Sequence, residues 1–144
     1  MLSINKKFRK SHIFSSKVIN FRSHVLKFGM FGLKSLKAGY LTSHTVETIR
    51  RVLTRCLRSE KKLGQRNYFG RKSWIRIYAN IPVTSIGLEA RMGGGKGKIQ
   101  KWVTFVRPGQ ILFEFPLLSE VGLNKLVKNI SVRSPIKFKL VRIF

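Results

Sequence analysis

The feature that most limits how this chain can fold is its charge. Of its 144 residues, 30 are Lys or Arg and only five are acidic, which leaves a formal net charge of +25. Charges of one sign at this density repel one another, so we expect the protein to bind a polyanion that neutralises its surface. Nucleic acid, an anionic membrane surface and an acidic protein are the candidates. Aromatic residues interspersed among the cations favour nucleic acid.

Chain length and hydrophobic content indicate one folded domain. The length is that of an ordinary domain, and a hydrophobic fraction of 43% is enough for a core. A single cysteine, Cys56, excludes an internal disulfide and a zinc site built from several cysteines, and we expect it to be a small core residue. No apolar run approaches the roughly 20 residues of a membrane span, so we expect no membrane insertion.

Residues 1–40 are basic and show no sustained helical or strand period. We interpret them as an extended arm whose rings stack on RNA bases and whose lysines contact phosphates. The alternative, that some of these rings cover the core of the domain, stays open. A basic N-terminus could also be a transit peptide. The rings are Phe8, Phe14, Phe21, Phe28 and Phe31.

The first clear helical pattern begins after Thr42, which is a good N-cap residue. Arg51, Arg55 and Arg58 lie on the face opposite the apolar one, and on an overcharged protein such a face favours contact with phosphates over simple solvation. The apolar residues recur with the 3.6-residue period of a helix. They are Val46, Ile49, Val52, Leu53, Cys56 and Leu57.

The rest of the chain predicts strands and a second helix. Residues 59–73 are polar and contain glycines, which is typical of a loop. Alternating segments predict strands at 74–78, 102–106 and 111–115, and the turn sequence at 107–110 predicts a hairpin between the last two. A helix is expected from Ser119 to about Asn129, with Lys125 and Lys128 facing away from its apolar stripe, and a last strand follows Pro135. The prediction is an α+β domain over 41–144, with two helices packed on a mainly antiparallel sheet.

A glycine-rich cationic loop lies between the predicted strands. Four of the five residues 93–97 are glycines, and Arg91, Lys96 and Lys98 surround them. Bare backbone and nearby cations could wrap nucleic-acid phosphate, while a plain flexible linker is the alternative. A nucleotide-hydrolysing phosphate loop is disfavoured, because Gly97 stands where Ser or Thr is required and the chain has no Asp.

Nothing in the sequence indicates catalysis. The three histidines, His12, His24 and His44, lack zinc-ligand spacing, and five scattered Glu provide no evident carboxylate pair. We therefore expect neither an enzyme nor a cofactor.

Many short segments resemble, in order, the family of large-subunit ribosomal protein L-sixteen, called uL-sixteen in the universal nomenclature. The resemblance covers nearly the whole chain. The matching segments are 7–10 with His12, 28–34, 39–42, Glu47 with Arg50 and Arg51, 74–77, 82–84, 91–93, 95–97, 102–103, 107–109, 112–114, 119–120 and 135–137.

The resemblance implies a structural protein that binds large-subunit rRNA near the A-site. It also implies contact with tRNA near the peptidyl-transferase centre, with neighbouring large-subunit proteins as partners and no homo-oligomer. Arg91 matches a family position that can be hydroxylated in bacteria. The residues implied in rRNA binding are Lys6, Lys7, Arg9, Lys10, His12, Lys34, Arg50, Arg51, Arg55, Arg58 and Arg76. Those of the loop near tRNA are Arg91, Met92, Gly93, Gly95, Lys96, Gly97 and Lys98.

Three departures from the family pattern stand out. Gly94 occupies a position where the family usually has lysine, residues 62–71 are longer than the common pattern, and 11–27 match poorly. Because the resemblance starts at Lys7, we expect the basic N-terminus to belong to the mature protein. The absence of Asp and the richness in Phe and Lys favour a mitochondrial ribosome, with a plastid or a bacterium as alternatives. A membrane-surface protein and an RNA-binding factor outside the ribosome are the rival interpretations.

Overall fold

The computed structural model describes residues 18–62 and 72–143, except for the side chains of residues 60–62. They form two helices and two antiparallel sheets, with strand order β3-β6-β1-β7 in one and β2-β5-β4 in the other. The predicted α+β class is confirmed. The elements in chain order are β1 Phe31–Ser35, β2 Gly39–Thr42, α1 Ser43–Lys62, β3 Trp74–Ile75, β4 Ile81–Ser85, β5 Lys98–Val106, β6 Ile111–Phe115, α2 Glu120–Arg133 and β7 Phe138–Arg142.

Both helices begin where the sequence predicts, α1 after the predicted N-cap Thr42 and α2 after Ser119, which the structure shows to be its N-cap. The Thr42 hydroxyl oxygen accepts the Thr45 N–H at 3.1 Å, and the Ser119 hydroxyl oxygen accepts the Gly122 N–H at 3.1 Å. These hydroxyl groups satisfy backbone donors that have no partner within the helix. Each helix ends later than its sequence predicts, α1 at Lys62 and α2 at Arg133. The predicted loop at 59–73 therefore starts too early by four residues.

The predicted hairpin around residues 107–110 is wrong. The turn itself exists, with the Gln110 N–H donating to the Arg107 carbonyl at 3.3 Å and Gly109 at a φ of 80°. However, β5 pairs with β2 and β4, whereas β6 pairs with β1 and β3. The turn thus carries the chain from one sheet to the other. A turn sequence specifies a local reversal, but partner choice depends on strands far away in the chain.

Three strands were not predicted from periodicity. β1 lies within residues 1–40, and β2 ends just after them. β4 includes Pro82, but it is an edge strand, where proline is tolerated. β1 is buried between β6 and β7, so its side chains do not alternate between core and water. Strand β3 covers only two of the five residues predicted at 74–78.

One core joins both helices and both sheets, and Cys56 packs against it partly buried. Phe31 and Phe115 stack within it, with ring centroids 5.9 Å apart. In the described part of the chain, neither helix is long and apolar enough to cross a membrane. The core includes Ile49 and Leu53 of α1, Leu126 and Ile130 of α2, Leu33 of β1, Leu41 of β2, Val106 of β5 and Phe113 of β6.

Candidate nucleic-acid interface

The exposed face of helix α1 carries the predicted arginines. Arg51, Arg55 and Arg58 all face solvent, opposite the buried Ile49 and Leu53. Among the described side chains, Arg55 and Arg58 have no carboxylate within ion-pair distance, which is consistent with a face that contacts phosphates. Their charge is therefore available to an external anion.

Arg51 differs from Arg55 and Arg58, because it has a carboxylate partner. Glu47, one helical turn before it, accepts from Arg51 Nε at 3.3 Å and from two guanidinium nitrogens of Arg50 at 2.6 and 2.8 Å. The Arg50 hydrogen bonds lower the pKa of Glu47 to about 2; burial opposes them, and Arg51 lowers the pKa further. Arg51 is still 73% exposed, so its pair is solvent-screened and can rearrange toward a phosphate.

Arg76 requires a correction, because the structure places it inside the protein. Its Nη1 donates to Glu114 Oε1 and to the Val25 carbonyl, both at 2.6 Å, and its side chain is only 11% exposed. An arginine held in this way is a structural residue rather than an RNA contact. Arg76 therefore does not belong to the candidate RNA interface.

Glu114 is the partner that explains Arg76, and no sequence pattern singled it out. It is fully buried in β6, where Oε2 accepts three backbone N–H groups, from Lys27 at 3.1 Å, Phe28 at 2.6 Å and Gly29 at 2.9 Å. Burial raises the pKa of the carboxyl, but these donors and Arg76 outweigh it and the pKa is lowered. The sequence signal that could have identified Glu114 is its position between apolar residues in a chain that has only five acidic residues.

A two-stranded ribbon carries the glycine-rich loop away from the sheet. β2 pairs with β5 only from Val103 to Val106, so among the described strands residues 98–102 of β5 pair with β4 alone. The register shifts between Val83 and Thr84, leaving Gln100 as an extra residue, and such a bulge bends and twists the ribbon. The loop at 86–97 therefore lies at the tip of a projection.

The tip brings its predicted cations together in water. Arg91, Met92, Lys96 and Lys98 are all exposed, and in the described structure none of the three cations has a carboxylate partner. Glu89 is the only acid in the loop. The tip is thus cationic and accessible to a polyanion.

The loop glycines have different structural roles. Gly93 and Gly95 adopt φ values of 88° and 89°, which side chains rarely tolerate, and a Cβ at either would meet nothing within 4 Å. A Cβ at Gly97 would instead lie 2.1 Å from the Ser85 carbonyl oxygen. Gly97 is therefore explained by close approach of the two ribbon strands, and not by approach of a ligand.

A third group of cations lies on the four-stranded sheet. Lys34 of β1 is half-buried and is the direct register partner of Lys139 on the edge strand β7. Directly opposite like charges in a sheet are destabilising unless an anion neutralises them. Lys139 was not predicted as a site residue, because the pairing of β1 with β7 cannot be read from the sequence.

The remaining predicted rRNA contacts lie outside the described residues. They are Lys6, Lys7, Arg9, Lys10 and His12. In the described part of the chain, no three His, Cys, Asp or Glu side chains are grouped to hold a metal ion.

An α+β domain with exposed cations on a helix face, on a projecting ribbon and on a sheet is typical of small basic proteins that assemble with RNA. The family model described as ribosomal protein L16p/L10e matches residues 4–141. Similar proteins include uL16c of Emiliania huxleyi, 37% identical over 98% of this chain and 95% of that protein. Another is uL16 of Buchnera aphidicola, 36% identical over 94% of this chain and 91% of that protein.

A third relative, uL16c of Marchantia polymorpha, is 37% identical over 94% of this chain and 87% of that protein. The chain belongs to the ribosomal protein L16p/L10e family. It is a structural, non-enzymatic component of the large ribosomal subunit. Its partners there are ribosomal RNA and other ribosomal proteins. Family membership favours this role over the two rival interpretations, a membrane-surface protein and an RNA-binding factor outside the ribosome.

Proposed function

We propose that this protein binds large-subunit rRNA near the A-site through its N-terminal arm and helix α1, and that the tip of its β4–β5 ribbon contacts tRNA near the peptidyl-transferase centre. The observation that carries the proposal is the set of exposed cations on α1 and at the tip that have no carboxylate partner among the described side chains. Phosphates would neutralise them, and release of condensed counterions would drive binding.

The rRNA contact of α1 can be tested with an Arg55→Ala/Arg58→Ala double variant. Each lost phosphate contact lowers the slope of log affinity against log salt by about one unit, so we expect a loss of up to about two units. Lys125→Ala/Lys128→Ala is a matched control, because it removes two exposed cations from the outer face of the other helix. The measurement is binding to a large-subunit rRNA fragment across a salt series. Equal losses in both variants would reject a specific role for the α1 face.

The tRNA contact of the tip can be tested with Arg91→Ala/Lys96→Ala. Both side chains are exposed, and replacing them leaves the glycines of the loop in place. We expect the variant to enter large subunits normally but to weaken binding of A-site tRNA to the reconstituted ribosomes. Loss of assembly would show that the tip is a structural element, and unchanged tRNA affinity would refute the contact.

We also propose a mitochondrial ribosome as the location, motivated by the absence of Asp and the richness in Phe and Lys. The relatives named above are chloroplast and bacterial proteins, so a plastid ribosome is an equal alternative. Sedimentation with the large subunit in high-salt gradients of purified mitochondria supports the proposal. Sedimentation with plastid or bacterial subunits overturns it.

A further inference from the structure

An aromatic pair stands exposed beside the sheet, away from the cations discussed above. The rings of Phe28 and Trp74 stack with centroids 6.3 Å apart and planes 20° from parallel. Although Trp74 covers part of Phe28, 61% of Phe28 is exposed to solvent. Single exposed hydrophobic residues are common, whereas contiguous apolar patches mark interaction sites, so the stacked pair rather than either ring alone indicates a partner.

The backbone that carries the Phe28 ring is held in place by a buried carboxylate. Its N–H donates to buried Glu114 at 2.6 Å, and the N–H groups on either side donate to the same oxygen. At Gly29 a Cβ would lie 2.6 Å from the Phe115 carbonyl oxygen, so the segment is pressed onto β6. Trp74 is the register partner of Glu114 in the neighbouring strand. The backbones of both aromatic residues are therefore fixed beside the buried Glu114, which lowers the ordering needed when a partner binds.

The surroundings of this pair are cationic. Lys27 precedes Phe28, and Lys72 lies two residues before Trp74; both are exposed and have no carboxylate partner among the described side chains. The one nearby acid, Glu114, is buried and already neutralised by Arg76. An apolar protein side chain would gain nothing from these cations. A nucleotide would, because its base is flat and its phosphate is anionic.

We propose that Phe28, supported by Trp74, is a stacking site for one unpaired RNA base, with Lys27 and Lys72 beside the flanking phosphates. This inference rests on the proposed rRNA-binding function and names one contact within it. Stacking on aromatic side chains is the usual way in which single-stranded RNA is bound, and every base has a face that can stack.

The stacking contribution can be separated from charge by comparing two probes. One is a single-stranded oligonucleotide of uridines, and the other is an abasic ribose-phosphate chain of equal length. In the full-length protein, Phe28→Leu removes the ring but keeps apolar area, and Phe28→Tyr restores a ring. We expect Phe28→Leu to lower the affinity ratio of the two probes at least about fivefold, and Phe28→Tyr to keep it.

Phe21→Leu is the matched control, since Phe21 is 72% exposed on the same segment but stacks on no tryptophan. Its ratio should change less than that of Phe28→Leu. Equal ratios in wild type and Phe28→Leu overturn the stacking site while leaving the proposed function intact. Absence of salt-dependent binding of either probe by wild type overturns the proposed function itself.

A second measurement needs no variant. A large-subunit rRNA fragment containing 5-iodouridine is irradiated with the wild-type protein, and crosslinked peptides are identified by mass spectrometry. Crosslinks at Phe28 or Trp74 support the site. Crosslinks confined to other residues overturn it.

Discussion

Replacing Glu114 by Gln would change one atom and one charge at the point where the N-terminal segment meets the sheet. The carboxylate accepts three backbone N–H groups on Oε2 and Arg76 on Oε1. A glutamine in the same position can offer its oxygen to only one of these two groups of donors. Its NH2 group then faces donors on the other side, and the buried arginine loses its counter-charge.

The expected cost follows from this geometry. Breaking a buried ion pair by removing one partner costs about 3 to 5 kcal/mol. Replacing Arg76 by Met should cost less, about 1.5 to 3 kcal/mol, because the three backbone donors still satisfy the carboxylate. Since domains of this size are stable by only about 5 to 15 kcal/mol, the Glu114→Gln loss is a large fraction of the total.

Urea unfolding of both variants, followed by far-ultraviolet circular dichroism, measures these losses. Glu120→Gln is the control, because it makes the same chemical change at an exposed acid in the first turn of α2 and should cost under about 1 kcal/mol. A loss of unfolding free energy in Glu114→Gln no larger than that in the control would refute the stabilising role of this carboxylate. A larger loss for Arg76→Met than for Glu114→Gln would show that the arginine, and not the backbone donors, holds the segment.

The pH dependence gives an independent check on the same pair. Because the folded pKa of Glu114 is lowered, its contribution is fully present above the unfolded pKa of about 4.3 and is lost as pH falls through the folded pKa. The stability difference between wild type and Glu114→Gln should therefore be constant at neutral pH and shrink in acid. A constant difference down to acid unfolding would contradict the lowered pKa.

Three further predictions concern the ribbon and the helices. Gly97→Ala should loosen the ribbon, seen as faster amide exchange at Ser85, whereas Gly94→Lys, whose Cβ would meet only a carbonyl oxygen at 3.4 Å, should leave exchange unchanged. Glu47→Gln should strengthen rRNA binding at low salt by releasing its two arginine partners, and weaker binding would contradict competition between glutamate and phosphate. Ser119→Ala should cost about 1 kcal/mol in urea unfolding through loss of the cap of α2, and no change would contradict that role.

The sequence by itself determined the features that depend on neighbours along the chain. Charge and composition indicated a polyanion partner, Thr42 as a capping residue located the start of α1, and the 3.6-residue period identified the buried and cationic faces of that helix. The ordered family segments identified the ribosomal role. These signals are local or compositional, so they survive without knowledge of the fold.

Tertiary structure alone decided which strands pair and which charges are neutralised. The turn at 107–110 was predicted as a hairpin but joins two sheets, because strand partners are chosen by burial across the whole domain. Arg76 was predicted on the RNA face but pairs with Glu114, 38 residues away, and Lys34 meets Lys139 across β1 and β7. A residue type shows that a charge exists, but only the packed chain determines whether that charge meets a buried partner or remains exposed for RNA.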